Sequence, residues 1–171
     1  MRKRRNFTEG AIYHVTSRTN EKKRVFESRL GQRIMLLTLQ NAKDKFHFRL
    51  VNFCVMPTHI HLMIEPARGS SLSDIMCWIK TRTAKRWNFI HGSSDHLWGH
   101  RYYARAIKDT DEYFLVMNYI DQNPVAAGLV LYPAEWKVSG AFYKANDISG
   151  LVDYLPGERL SYIRLIGCLA P

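Results

Sequence analysis

Two short constellations in this chain carry side chains that could do chemistry. In Met56-Pro57-Thr58-His59-Ile60-His61-Leu62-Met63-Ile64, the histidines His59 and His61 are two residues apart. Residues i and i+2 of a strand project from one face, so the imidazoles stand side by side while Ile60 and Leu62 face a core. Two imidazoles so placed can chelate one divalent ion from adjacent corners. The plain alternative is a pair of histidines on a polar sheet surface. In Asn118-Tyr119-Ile120-Asp121-Gln122-Asn123-Pro124, Tyr119 and Asn123 are four apart and share one helical face. A phenol, with an ordinary pKa near ~10, is a poor nucleophile at neutral pH unless a metal or a positive field assists it. The Asn123 amide oxygen, one turn away, can complete a metal shell begun by two histidines. A tyrosine on a helix is otherwise core packing, and this chain has nine of them.

The elements that must position these groups follow from pattern. Ala11 to Arg18 alternates as a first strand, followed by a polar, basic loop from Thr19 to Arg24. From Ser28 to Asp44 the positions Leu30, Ile34, Leu37 and Asn41 keep helical spacing, widened by Met35, Leu36 and Leu39. Phe46 to Met56 and Thr58 to Glu65 read as two strands, with Pro57-Thr58 a break short enough for a hairpin. Ser71 and Asp74 resemble a capping box opening a second helix with the stripe Leu72, Ile75, Met76, Ile79, Thr83 and Trp87. Trp98 to Lys108 reads as a fourth strand. Asp109 with Glu112 marks the cap of a third helix ending near Asn123-Pro124. The order β, α, β, β, α, β, α predicts an α+β fold of ferredoxin-like, split β-α-β type. It would have a central antiparallel sheet, helices on one side and a short irregular C-terminal part. We divide the chain into a basic arm (1–10), a central domain (11–130) that holds both constellations, and a C-terminal part packed on it (131–171).

Composition narrows the partner. With 46% hydrophobic and 23% charged residues in a chain of 171, disordered and fibrous classes are excluded, and one domain with a real core is expected. No apolar run approaches the ~18–20 residues of a membrane span. The basic start at Met1 to Arg5 lacks a following apolar stretch, so secretion is not expected. Cys54, Cys77 and Cys168 are few and scattered, which suits a reducing cytoplasm. The net charge is +10, and it is uneven. Residues 1–108 hold 21 basic and 7 acidic side chains, whereas residues 109–171 hold 4 and 8. One strongly positive face is therefore expected, which favours nucleic acid over a membrane surface.

The remaining motifs extend the two constellations. Tyr13-His14-Val15-Thr16-Ser17-Arg18 forms the first strand, and Phe53-Cys54-Val55-Met56-Pro57-Thr58 precedes the histidines. Asn123-Pro124-Val125-Ala126-Ala127-Gly128-Leu129-Val130 follows the tyrosine, with Trp136, Ser139 and Tyr143 beyond. Taken in order, these stretches resemble the single-tyrosine HUH transposases of bacterial insertion sequences. They are most similar to the REP-associated tyrosine transposases, over roughly residues 7–143. The resemblance implies that His59 and His61 bind Mg²⁺ or Mn²⁺, with Asn123 as third protein ligand. It also implies that Tyr119 attacks a phosphate of single-stranded DNA, leaving a 5′-phosphotyrosine and a free 3′-hydroxyl, with no nucleotide cofactor. The expected partners are single-stranded DNA hairpins from REP elements or insertion-sequence ends. A monomer is favoured over a homodimer with exchanged tyrosine helices. The rival readings are a hairpin-binding protein of the same fold without cleavage, a HUH replication-type nuclease, and a small-molecule metalloenzyme. The last leaves the basic surplus unexplained.

Candidate DNA contacts are Arg2, Lys3, Arg4 and Arg5 in the arm, Arg18 at the end of the first strand, Arg101 in the fourth, and Lys80, Arg82, Lys85 and Arg86 on the second helix. Each of these could equally be a solvated surface charge. Trp98, Tyr102 and Tyr103 could stack unpaired bases, although strand aromatics are commonly core. His14, His47, His91, His96 and His100 lack a partner at ligand spacing and read as packing or surface residues. Glu65 is too far along its strand to share an ion with His61, and Asp121 reads as a surface acid.

Overall fold

The computed structural model describes residues 7–154 except Glu9. In chain order the elements are β1 (Tyr13–Arg18), α1 (Arg29–Lys45), β2 (Phe48–Met56), β3 (His59–Pro66), α2 (Leu72–His91), β4 (Tyr103–Ala106), α3 (Thr110–Ala126) and α4 (Gly140–Ala145). The four strands form one antiparallel sheet in the order β2-β3-β1-β4. This is the expected α+β split β-α-β arrangement, with the two-residue turn Pro57-Thr58 joining β2 to β3.

Local signals start the helices. The side chains of Ser28, Ser71 and Asp109 accept the backbone N–H of Gly31, Asp74 and Glu112 respectively, each satisfying an otherwise orphaned donor of a first turn. Helix α3 differs from expectation at its end, because it continues through Pro124 to Ala126. Closure comes from Gly128, at φ +66°, where the N–H of Leu129 bonds Pro124 O and that of Gly128 bonds Val125 O. This left-handed terminus suits glycine and stops the helix two residues after the proline.

Helix placement also differs from expectation, since helices cover both faces of the sheet. Alternation sends Val15, Leu50, Phe53, Val55, Ile60, Leu62 and Ile64 to one face, where Met35, Leu39 and Ala42 of α1 and Leu72, Ile75, Met76 and Ile79 of α2 pack on them. Full burial of such side chains is worth roughly 1.5–3 kcal/mol each. The opposite face carries Val51, Cys54, Met56 and Met63, and α3 covers it with Tyr113, Val116, Met117 and Ile120. The nearly continuous apolar run of β2 is the signature of a strand buried on both faces. A sheet with only one apolar face would have left α3 without a partner.

Two further expectations change. The fourth strand is confined to Tyr103–Ala106, because Trp98 turns inward to donate its indole N–H to Lys80 O at 2.9 Å and keeps only one bridge, to Thr19. Over residues 129–154 the chain is not wholly irregular, with a 3-10 turn at Pro133–Glu135 followed by α4. It covers the edge of β2. Val55 N–H donates to Val138 O at 2.9 Å, the Trp136 indole donates to Val55 O at 3.0 Å, and Leu50 N–H donates to the Asp153 carboxylate at 2.8 Å. Capping an edge in this way removes the unpaired backbone groups that invite aggregation.

Candidate active site

Strand register builds the site. Across the β1–β3 pair, Thr16 lies opposite His61 and Arg18 opposite His59; across β1–β4, Thr16 lies opposite Tyr103 and His14 opposite Arg105. Alternation therefore brings His14, Thr16 and Arg18, His59 and His61, and Tyr103 and Arg105 to one face. This is the face α3 covers on its β2 side. Helix α3 is held there by a buried polar tie, in which the Asn52 amide N–H donates to Asp121 Oδ1 at 2.9 Å. Asp121 is thus a buried acid facing the sheet, not the surface acid expected from its place on another helix face than Tyr119. A β-bulge between Leu50 and Asn52 in β2 shifts the register at that point.

Helix α3 lays Tyr119 beside the histidines. Its ring stands edge-on to His61, with centroids 5.6 Å apart, and lies 6.0 Å from His14, yet the residue remains 55% exposed. A nucleophile needs that combination of a fixed ring and an open approach. Asn123, one turn on, donates its amide N–H to Tyr119 O at 2.6 Å, which leaves its carbonyl oxygen available.

The histidines are held neutral. His61 is 4% exposed and its pKa is pushed down to about 3, first by burial and then by His59, His14 and Arg18. Burial, followed by Arg105, lowers His14 to about 4, and burial with Arg18 lowers His59. Neutral imidazoles keep a lone pair for a ligand. His59 Nδ1 is engaged by Thr58 Oγ1 at 3.1 Å and His61 Nδ1 by His14 Nε2 at 3.0 Å. His61 Nε2 is buried with no hydrogen-bond partner. An orphaned buried nitrogen beside a second neutral imidazole fits a borderline divalent cation. Among the described residues no group of three or more His, Cys, Asp or Glu side chains is arranged to hold a metal. Glu65 is engaged elsewhere, accepting from Arg49 Nε at 2.9 Å.

The proposed DNA contacts are not gathered at one place. Exposed Arg18 borders the histidines on the same face. Lys80, Arg82, Lys85 and Arg86 lie on α2, in the layer behind the sheet. There Arg86 ties the two helices through Thr38 Oγ1 at 3.0 Å, Lys80 donates to His100 O at 2.9 Å, and Arg82 lies over the Trp78 ring. Arg101 is exposed but precedes β4 instead of belonging to it. Arg2, Lys3, Arg4 and Arg5 lie outside the described residues. Of the candidate stacking rings, Trp98 and Tyr102 are buried, whereas Tyr103 is 60% exposed on the histidine face. Sequence reasoning missed two members of that face. Arg105 pairs with Glu112, and His14 touches His61 directly. The alternation of His14, Thr16 and Arg18 pointed to a shared face, but not to which strand lies beside it.

No helix among the described residues is long and apolar enough to cross a membrane. A REP-associated tyrosine transposase bound to a REP hairpin has the same fold, with a TM-score of 0.72, 21% identity and 93% of each chain covered. A protein of Deinococcus radiodurans R1 assigned as a transposase matches at a TM-score of 0.51 and 20% identity, over 71% of this chain and 97% of its own. In sequence, a Haemophilus influenzae protein assigned as a REP-associated tyrosine transposase is 23% identical over 146 residues, covering 80% of this chain and 82% of the relative. The family described as IS200-like transposase matches residues 7–123, a span that includes both histidines, Tyr119 and Asn123. The chain belongs to the IS200-like transposase family, enzymes that cut and join DNA strands.

Proposed function

We propose that the chain nicks and rejoins single-stranded DNA beside REP or insertion-sequence hairpins, with Tyr119 as the nucleophile. One observation carries the reading: an exposed phenol is lodged against buried, neutral imidazoles of its own chain, 5.6 Å from His61. The relative solved with a REP hairpin supports the choice of partner.

The chemistry balances without a nucleotide cofactor. The Tyr119 oxygen gives up its proton and forms a bond to phosphorus as the bond to O3′ breaks, and the departing oxygen takes up a proton as a free 3′-hydroxyl. Rejoining reverses this, with an incoming 3′-hydroxyl displacing the tyrosine. His59 and His61, with the Asn123 oxygen, would hold a Mg²⁺ or Mn²⁺ ion, whose chemistry is to polarise the phosphate and offset its charge. Imidazole donors suit Mn²⁺ better than the harder Mg²⁺. Arg18 offers its charge to the backbone beside the reactive phosphate, and Tyr103 offers a ring to an unpaired base. The closeness of Tyr119 to His61 within one chain, at 5.6 Å between ring centroids, supports a tyrosine that serves its own subunit and a monomer over a dimer with exchanged helices.

The test uses end-labelled hairpins with single-stranded flanks and Mn²⁺. The wild type should yield a denaturation-resistant adduct, and Tyr119→Phe none. Wild type without adduct over a range of hairpins, or Tyr119→Phe with as much as wild type, overturns the reading.

A further inference from the structure

We infer that His14 is a positioning residue, which accepts a hydrogen bond from His61 and thereby fixes the nitrogen that His61 offers to a metal ion. The inference rests on the metal-assisted reading above.

The geometry allows two proton arrangements. A contact of 3.0 Å between His14 Nε2 and His61 Nδ1 needs one N–H and one lone pair. If His14 donated, neutral His61 would carry its own proton on Nε2. That atom is buried and has no acceptor, so the N–H would be stranded and no lone pair would remain for a cation. If His61 donates from Nδ1, its Nε2 is an open lone pair beside His59. Only the second arrangement leaves no buried donor unmet.

The neighbouring ligand shows the same pattern. Thr58 Oγ1 engages His59 at Nδ1, so both imidazoles are gripped at Nδ1 and keep Nε2 for the site. Ligand histidines are commonly oriented in this way by a partner on the other ring nitrogen. Here that partner is itself a histidine, its ring nearly coplanar with that of His61, with 17° between planes and centroids 5.3 Å apart. The β1–β3 register places it, because His14 and His61 sit two residues apart along the paired strands on one face. His14 is 9% exposed, so the bond is largely shielded from solvent.

Two measurements test this on the full chain. The first is ¹⁵N NMR of histidine-labelled, metal-free wild type, which should show His61 protonated on Nδ1 and bare on Nε2. The second is Mn²⁺ affinity by calorimetry. His14→Leu, which keeps the bulk but loses the acceptor, should weaken Mn²⁺ binding about 10–100-fold. His14→Gln, whose amide oxygen can accept the same proton, should recover most of the loss. A wild-type His61 protonated on Nε2, or His14→Leu and His14→Gln binding Mn²⁺ equally, overturns the inference. If His14→Leu does not fold, the wild-type tautomer and His14→Gln still decide. Wild type that binds Mn²⁺ with the expected tautomer but forms no DNA adduct overturns the strand-transfer reading and leaves the His14 assignment standing.

Discussion

The ring of Tyr119 stands edge-on to that of His61, with planes at 84° and centroids 5.6 Å apart, although 58 residues separate them in sequence. The histidine is buried and the tyrosine is open to solvent. Metal-assisted attack on a phosphate calls for such a division, with one partner fixed in the protein and the other facing the DNA.

That division predicts a separation of activity from folding. His61→Ala removes a ring whose Nε2 has no partner in the fold, so adduct formation should be lost while the hairpin is still bound. The check is adduct yield beside hairpin affinity by gel shift. Cleavage that persists in His59→Ala and His61→Ala with Mn²⁺ contradicts the ligand assignment.

Helix α3 depends on Asn52 and Asp121. Asp121→Ala leaves the fully buried Asn52 amide without its carboxylate acceptor, which should cost about 1–3 kcal/mol. Urea unfolding should show the loss, and adduct yield should fall further because Tyr119 rides on the same helix. Asp121→Asn, which can still accept, should be milder.

Arg18 and Tyr103 share the histidine face, whereas Lys85 lies on α2 behind the sheet. Arg18→Ala should lower the slope of log affinity against log salt for single-stranded flanks by about 0.7. Tyr103→Ala should cost about 1–3 kcal/mol of binding, with Tyr103→Phe close to wild type. Lys85→Ala should have the smallest effect on flank binding. Fluorescence anisotropy across a salt series distinguishes the three.

Acid should destabilise the metal-free protein. Burial holds His14 at about 4 and His61 at about 3, below the histidine value of 6.5. As pH falls below 6.5 the unfolded chain takes up protons that the folded chain refuses. The unfolded state therefore binds more protons, and stability drops as pH falls from about 6.5 towards about 4. Above 6.5 these groups contribute no slope. Each can contribute up to about 1.4 kcal/mol per pH unit. Urea unfolding in EDTA at stepped pH measures the decline, and His14→Leu should flatten it.

By itself the sequence determined the elements and the chemical groups. Caps at Ser28, Ser71 and Asp109 act within three or four residues, and the hairpin at Pro57-Thr58 is equally local. The i, i+2 spacing of His59 and His61 and the i, i+4 spacing of Tyr119 and Asn123 are intrinsic to strand and helix. The tertiary structure decided which side of the sheet each group reached. The second apolar face of the sheet, lined by Val51, Cys54, Met56 and Met63, drew α3 across the histidine face, and Asn52 turned Asp121 inward. The basic residues of α2 went to the opposite layer because its apolar stripe packs on the other face. His14 reached His61, 47 residues away, only through the pairing of β1 with β3. Neither partner's neighbours in sequence specify that pairing, because strand register is set by burial of whole faces and not by spacing along one strand.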